Sequence, residues 1–224
     1  MREGYALWAA SYDRRPNPLL VLEERVMESM LPTVVNRRVL DVACGTGRWM
    51  NRLAACGAAS VFGLDFSLQM LHCALGKTSL QGRLLQADCR QIPILSGTID
   101  LALCSFVAGY LEDLKSLMRE LSRIVSPQAE IFLSDVHPSC HSRGWKRAFR
   151  HENQVLEIEN TRHSIAEIVR IGEASGQRLV GQAEPHWGEP ERRIFQAAGK
   201  IRLYEESCND PAIFILKFRP FRTR

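Results

Sequence analysis

The 224-residue sequence predicts an α/β protein built on a parallel sheet, and two observations carry that prediction. Short apolar runs alternate with helical patterns, as repeated β-α-β units require. A strand, a glycine-containing loop and a helix also follow one another over residues 38–55, the arrangement with which such sheets hold ligands. Strands are expected at 38–43, 60–65, 83–86, 99–105, 130–134, 178–183 and 213–219, with helices at 19–30, 49–55, 68–75, 111–125 and 164–175. The helix at 111–125 has the clearest pattern. Leu114, Leu117, Leu121 and Ile124 recur at three and four residues and form one apolar face, and Ser126-Pro127 ends it. Thr161 or Ser164 can cap the helix beginning at Ile165.

Two stretches fit the alternation poorly. Residues 136–163 carry His137, His141, Trp145, Phe149 and the cations Arg143, Lys146, Arg147 and Arg150, which read as a solvated amphipathic helix face. Residues 185–210 run between two strands. Both are expected as insertions that shape a substrate pocket on a single domain covering residues 1–224, with lid helices over residues 1–30.

The composition is 46% apolar and 24% charged, which excludes disordered, collagen-like and disulfide-scaffold chains. No apolar run approaches the ~18 residues of a membrane span, and the basic start is not followed by a signal-peptide core. A cytoplasmic protein without a membrane partner is expected. The net charge is 29 − 25 = +4, and 24 of the 29 cations are arginine. They are spread along the chain, so no nucleic-acid footprint is expected. The seven cysteines lack zinc-site spacing, and strings such as Leu101-Ala102-Leu103-Cys104 read as buried thiols. No metal site is expected.

Chemistry concentrates in Val39-Leu40-Asp41-Val42-Ala43-Cys44-Gly45-Thr46-Gly47. Its glycines let backbone approach a ligand, and the next helix points free N–H groups at whatever fills the loop. Asp65 ends the second strand, where a carboxylate can accept both hydroxyls of a ribose. The third glycine of a dinucleotide fingerprint would fall at Met50, so a nicotinamide oxidoreductase is disfavoured. Asp41 also disfavours a diphosphate and suits a ligand bearing an ammonium and a sulfonium. Asp88 ends the third strand region, placed to accept from an adenine amino group while the Cys89 amide donates to a ring nitrogen.

This acid–glycine–acid–acid order resembles the class I S-adenosylmethionine-dependent methyltransferases, in particular their type 11 group, over residues 1 to about 135. The resemblance implies a Rossmann-like, doubly wound, seven-stranded, mostly parallel sheet with an antiparallel C-terminal strand pair. It implies S-adenosylmethionine as cofactor, leaving S-adenosylhomocysteine as product. Asp41, Ala43, Gly45 and Gly47 match the contacts to the methionine moiety, and Asp65 matches the ribose acid, with Phe66 and Met70 beside the adenine. Asp88 and Cys89 match the adenine-reading pair, Ser105 the strand-four exit facing the donor methyl, and Tyr5 and Tyr12 the tyrosines that close over the cofactor.

The acceptor has no signature. Ser105-Phe106-Val107-Ala108-Gly109-Tyr110 lacks the Asn/Asp-Pro-Pro-aromatic motif of amino-group methyltransferases. His137, two residues after Asp135, is the candidate base, ahead of His141 and His163. Methyl transfer to a small molecule is the expected function. An RNA methyltransferase and a cofactor-binding module without turnover are the alternatives.

Overall fold

The computed structural model describes residues 7–9, 11–14, 16–77, 82–151, 154–158 and 160–221; Tyr5 and the basic tail at 222–224 lie outside them. The elements are α1 (Pro18–Met30), β1 (Arg38–Val42), α2 (Arg48–Ala55), β2 (Ser60–Asp65), α3 (Leu68–Leu75), β3 (Leu84–Gln86), β4 (Ile99–Ser105) and α4 (Leu114–Ile124). There follow β5 (Val125–Val136), α5 (Pro138–Ser142), β6 (Arg147–His151), β7 (Gln154–Ile158), α6 (Ile165–Ala174), β8 (Gln177–Ala183), α7 (Glu189–Ala197), α8 (Ile201–Ser207) and β9 (Ile213–Pro220).

Strands apolar on both faces must lie between two layers, and those of β1 and β4 do: Val39, Leu40, Val42 and Leu101 to Cys104 are all fully buried. The sheet order is β3-β2-β1-β4-β5-β9-β8. The first five strands run parallel, β9 is antiparallel to β5, and β8 is antiparallel to β9. The expected seven-stranded sheet with its antiparallel C-terminal pair is therefore present. The chain leaves β1 toward β2 on one side and returns to β4 on the other, so a crevice opens beyond the carboxyl ends of β1 and β4.

Helices α4 and α6 cover one face, through Leu114, Leu117, Leu121, Ile124, Ile168 and Ile171. Burying a side chain of this size stabilises the fold by ~1.5–3 kcal/mol. The Asp113 carboxylate caps α4 by accepting the Ser116 N–H at 3.1 Å. β5 follows that helix directly at Val125, earlier than the expected position 130. Helices α1, α2 and α7 cover the other face around Leu22, Met27, Trp49, Met50, Leu53 and Phe195.

Three expectations for the outer segments change. Residues 18–30 form a core helix with Leu22, Glu23 and Met27 buried, and only its first turn reaches the crevice. The 136–163 stretch is a five-residue helix followed by the β6–β7 hairpin rather than an amphipathic helix. Residues 185–210 do not line the crevice, because Trp187 and Phe195 draw them into the core behind it. There the Glu191 carboxylate accepts from the Gly188 N–H at 2.7 Å and from Arg25 at 3.0 Å.

Met50, which takes the place of the missing third glycine, is fully buried against Gly63 of β2. A Cβ added at Gly63 would overlap Met50 Sδ and stand 2.8 Å from Cys44 Sγ. The close approach of helix and sheet is thus relieved on the strand rather than on the helix. Gly63→Ala is expected to destabilise the protein by ~1–3 kcal/mol, read from urea unfolding. Wild-type stability in that variant would show that the contact relaxes freely.

Candidate active site

Between β1 and α2 the backbone takes left-handed φ at Ala43 (58°), Gly45 (55°) and Gly47 (76°). Ala43 holds this conformation despite its Cβ, and Phe106 at the exit of β4 does the same at 55°. Strain of this kind concentrates where a site dictates the backbone path. A Cβ at Gly45 would meet no atom within 4 Å, so the loop backbone borders open space. That space is a cavity of about 1290 Å³.

Nine of the expected cofactor residues line it: Tyr12, Ala43, Gly45, Asp65, Phe66, Met70, Asp88, Cys89 and Ser105. Asp65 is the best placed. Its Oδ2 accepts the Gly45 N–H and its Oδ1 the Ser67 N–H, both at 2.8 Å. Two backbone donors fix the carboxylate, and its remaining lone pairs can accept ligand hydroxyls. Burial raises its pKa while those N–H groups oppose the shift. Asp88 is clasped by Arg90, with Nη2–Oδ2 at 2.6 Å and Nε–Oδ1 at 3.0 Å. Open backbone at Gly45 beside a fixed carboxylate fits the adenosyl and amino-acid portions of S-adenosylmethionine.

Tyr12 meets Trp8 edge-on with ring centroids 4.8 Å apart, and both line the cavity. Burial pushes the Tyr12 phenol up to about 12, so it stays neutral. The neighbouring Asp13 ties this segment to the glycine loop. Its carboxylate accepts the Thr46 hydroxyl at 2.8 Å and pairs with Lys77 at 3.2 Å.

Asp41 does not join the other two acids on the rim. It is buried behind the loop, absent from the cavity lining, and hydrogen-bonded to the Met50 backbone. Gly47, the N-cap of α2, has no side chain to cap with, so Asp41 serves that helix end from the strand. Desolvation, opposed by Arg48 and reinforced by Glu23 and Asp65, pushes its carboxyl up to about 7. Gly47 likewise does not line the cavity and acts as the helix N-cap.

His137 is also placed elsewhere. Its Nδ1 meets Ser139 Oγ at 2.7 Å and its Nε2 meets Glu184 at 2.8 Å, so the ring caps α5 instead of facing the cavity. His141, one helical turn later, does line the cavity.

A residue the sequence did not single out lies beneath the site. Glu23 of α1 is fully buried. Its Oε1 accepts Ser105 Oγ at 2.7 Å and Ser134 Oγ at 2.8 Å, and its Oε2 accepts Arg48 at 2.7 Å and Trp49 Nε1 at 3.0 Å. A buried carboxylate with four donors is compensated. It anchors α1 to the ends of β4 and β5 and to the start of α2.

The far end of the cavity is aromatic. Phe106, Tyr110 and Trp145 line it with His141, Arg147, Asn160 and Thr161. Arg147, expected in solvent, is mostly buried and ion-paired with Asp135. Its guanidinium stands 4.4 Å from the Tyr110 ring centroid and donates to the Phe106 carbonyl at 3.2 Å. The Gly109 N–H donates to Asp135 Oδ2 at 2.7 Å. Among the described residues no group of three or more His, Cys, Asp or Glu is placed to hold a metal ion, and no helix is long and apolar enough to cross a membrane.

Residues 39–128 match a family described as Methyltransferase domain. A malonyl-[acyl-carrier protein] O-methyltransferase of Legionella pneumophila is 26% identical over 167 residues, covering 70% of this chain and 59% of that protein. A demethylmenaquinone methyltransferase of Bacillus licheniformis is 34% identical over 96 residues, 41% of each chain. The chain spans less than two thirds of the length of these curated relatives. A methyltransferase of Haloferax volcanii, solved in complex with the Trm112 activator, superposes with a TM-score of 0.75 at 18% identity, covering 100% of this chain and 98% of that one. The matched residues hold the glycine loop, Asp41, Asp65 and Asp88, and the shared fold extends over the rest of the chain. Residues 39–128 are thus similar to the methyltransferase domain, and the chain shares its fold with a solved S-adenosylmethionine-dependent methyltransferase of Mesorhizobium loti, at a TM-score of 0.71 and 20% identity over 91% of this chain and 100% of that one.

Proposed function

We propose that the protein transfers a methyl group from S-adenosylmethionine to a small-molecule acceptor. One observation carries this reading: the Asp65 end and the Tyr110–Trp145 end belong to a single cavity. At about 1290 Å³ it exceeds the ~300–1,000 Å³ typical of one small ligand, so it has room for donor and acceptor together. The aromatic far end and the neutralised Arg147–Asp135 pair favour a compact organic acceptor over a nucleic-acid backbone. The curated relatives named for carrier-bound malonyl and demethylmenaquinone support the same direction.

The donor supplies a methyl already activated on a sulfonium, so the protein's work is to bind, orient and exclude water. Asp65 takes the ribose hydroxyls, and Phe66, Met70 and Cys89 enclose the base. Ser105, held by Glu23, sits at the exit of β4 where the two ends meet. Tyr12 and Trp8 cover the site, and Asp13 holds that cover to the loop. Holding the two reactants in line accounts for up to ~7–11 kcal/mol of the barrier.

Calorimetric titration with S-adenosylhomocysteine is expected to show micromolar binding, on the order of −8 kcal/mol. Incubation with methyl-labelled donor and a panel of small acceptors is expected to transfer label to at least one. Absence of heat at protein concentrations far above micromolar would refute the reading. Label transfer to bulk RNA alone would replace the acceptor class.

A further inference from the structure

The function proposed above leaves the acceptor and its proton unassigned. Resting on that reading, we infer that His141 is the catalytic base for a planar aromatic acceptor that presents a hydroxyl, a phenol or enol held between Tyr110 and Trp145.

Among the described residues, His141 is the one histidine that lines the cavity, and it does so at the aromatic end. The others are committed or placed elsewhere. His137 caps its helix, and His163 Nε2 donates to the Leu111 carbonyl at 2.7 Å. The remaining ionisable groups on the lining are poorly placed to take a proton from the acceptor. Asp65 is at the donor end, Asp88 is clasped by Arg90, Glu112 is exposed, and Lys146 is paired outward with Glu157 at 2.8 Å.

The Trp145 backbone lies close enough to the ring of His141 to favour a proton on it slightly. A neutral imidazole keeps a lone pair on one of its two ring nitrogens. The charged groups around it are Arg143 on its own helix, Lys146 and Arg147 entering the hairpin, Asp135 at the end of β5, and Arg162 and His163 before α6. Arg147, Asp135 and His163 border with it a second, small cavity of about 10 Å³. Burial first, and then Arg162, hold the imidazole below its ordinary pKa, so it stays neutral at physiological pH.

The aromatic walls favour a flat acceptor. Phe106, Tyr110 and Trp145 present ring surface, and Arg147 covers the Tyr110 face with a guanidinium whose charge Asp135 neutralises. Such walls offer dispersion and stacking without demanding a charge. A phenolic hydroxyl needs a base, because its oxygen is a weak nucleophile while protonated. As the acceptor oxygen bonds to the methyl carbon, the carbon–sulfur bond breaks with its electron pair left on sulfur. The hydroxyl proton passes to the free nitrogen of His141, which later returns it to water. The products are a methyl ether and the neutral thioether.

The test uses the full chain saturated with S-adenosylhomocysteine and titrates 4-methylphenol by calorimetry between pH about 5 and about 8. The probe's hydroxyl stays protonated there, as that of tyrosine does with its pKa near ~10. A neutral imidazole accepts its hydrogen bond and an imidazolium cannot. Affinity is therefore expected to rise several-fold with pH, with its midpoint below the ordinary histidine value of ~6.5. His141→Gln should flatten that profile and lower label transfer to 4-methylphenol by at least ~100-fold. It should leave S-adenosylhomocysteine affinity and melting temperature unchanged. No binding of 4-methylphenol, a flat wild-type profile, or a profile that survives His141→Gln would overturn the assignment while cofactor binding stands. Failure to bind S-adenosylhomocysteine would instead bring down the methyltransferase reading and this inference with it.

Discussion

Asp65→Ala is expected to remove S-adenosylhomocysteine binding almost completely. The carboxylate combines fixed orientation with spare acceptor capacity, since Gly45 and Ser67 each hold one of its oxygens at 2.8 Å. Hydrogen bonds to a charged group are worth ~1.5–3 kcal/mol each. Losing two ribose hydroxyl contacts therefore weakens binding by roughly 10²- to 10⁴-fold. The same change frees the Gly45 N–H and loosens the loop. The checks are calorimetry and the ligand-induced rise in melting temperature, both of which should vanish. Asp65→Asn, which keeps one acceptor oxygen, should fall between. Wild-type affinity in Asp65→Ala would mean that the donor does not sit on this acid.

Asp41→Asn should have the opposite character, a gain in stability that appears only at high pH. In the folded protein the carboxyl titrates at about 7, whereas an unfolded chain restores the ordinary value of ~3.9. Between those values the native state binds the extra proton, so stability falls as pH rises from about 4 to about 7. Asparagine can still accept the Met50 N–H and has no charge to bury. At about 1.4 kcal/mol per pH unit, the variant is expected to be more stable than wild type by on the order of 2–4 kcal/mol at pH about 8. The two should be nearly equal at pH about 4. Urea unfolding at both pH values checks this, and a uniform loss of stability would show that Asp41 is held charged by Arg48.

The sheet was legible because its signals are local. Residues 39–42 and 101–104 are mostly apolar and buried, the glycine loop follows the end of β1, and Asp65 closes β2. The parts that were not legible depend on partners distant in sequence. Glu23 sits in a segment expected only as part of a lid, and its donors come from residues 48, 49, 105 and 134. Arg147 belonged to a run of cations that suggested a charged helix face. The Asp135 carboxylate and the Tyr110 ring draw it inside, and the pairing of Arg147 with Ile158 begins a strand there. His137 was favoured by its closeness to Asp135 in the chain, but Pro138 starts a helix there, and the ring is used to cap it. Asp41 was expected as a ligand contact, but it is buried behind the loop and serves the start of α2.

Glu23 also sets an order of events during synthesis. Its segment leaves the ribosome before the Ser134 hydroxyl it needs, which is 111 residues downstream. Until that residue emerges the carboxylate keeps its water shell, and the helix cannot settle into its final seat. The cofactor crevice therefore matures only after β5 has been made, although its glycine loop is available before that.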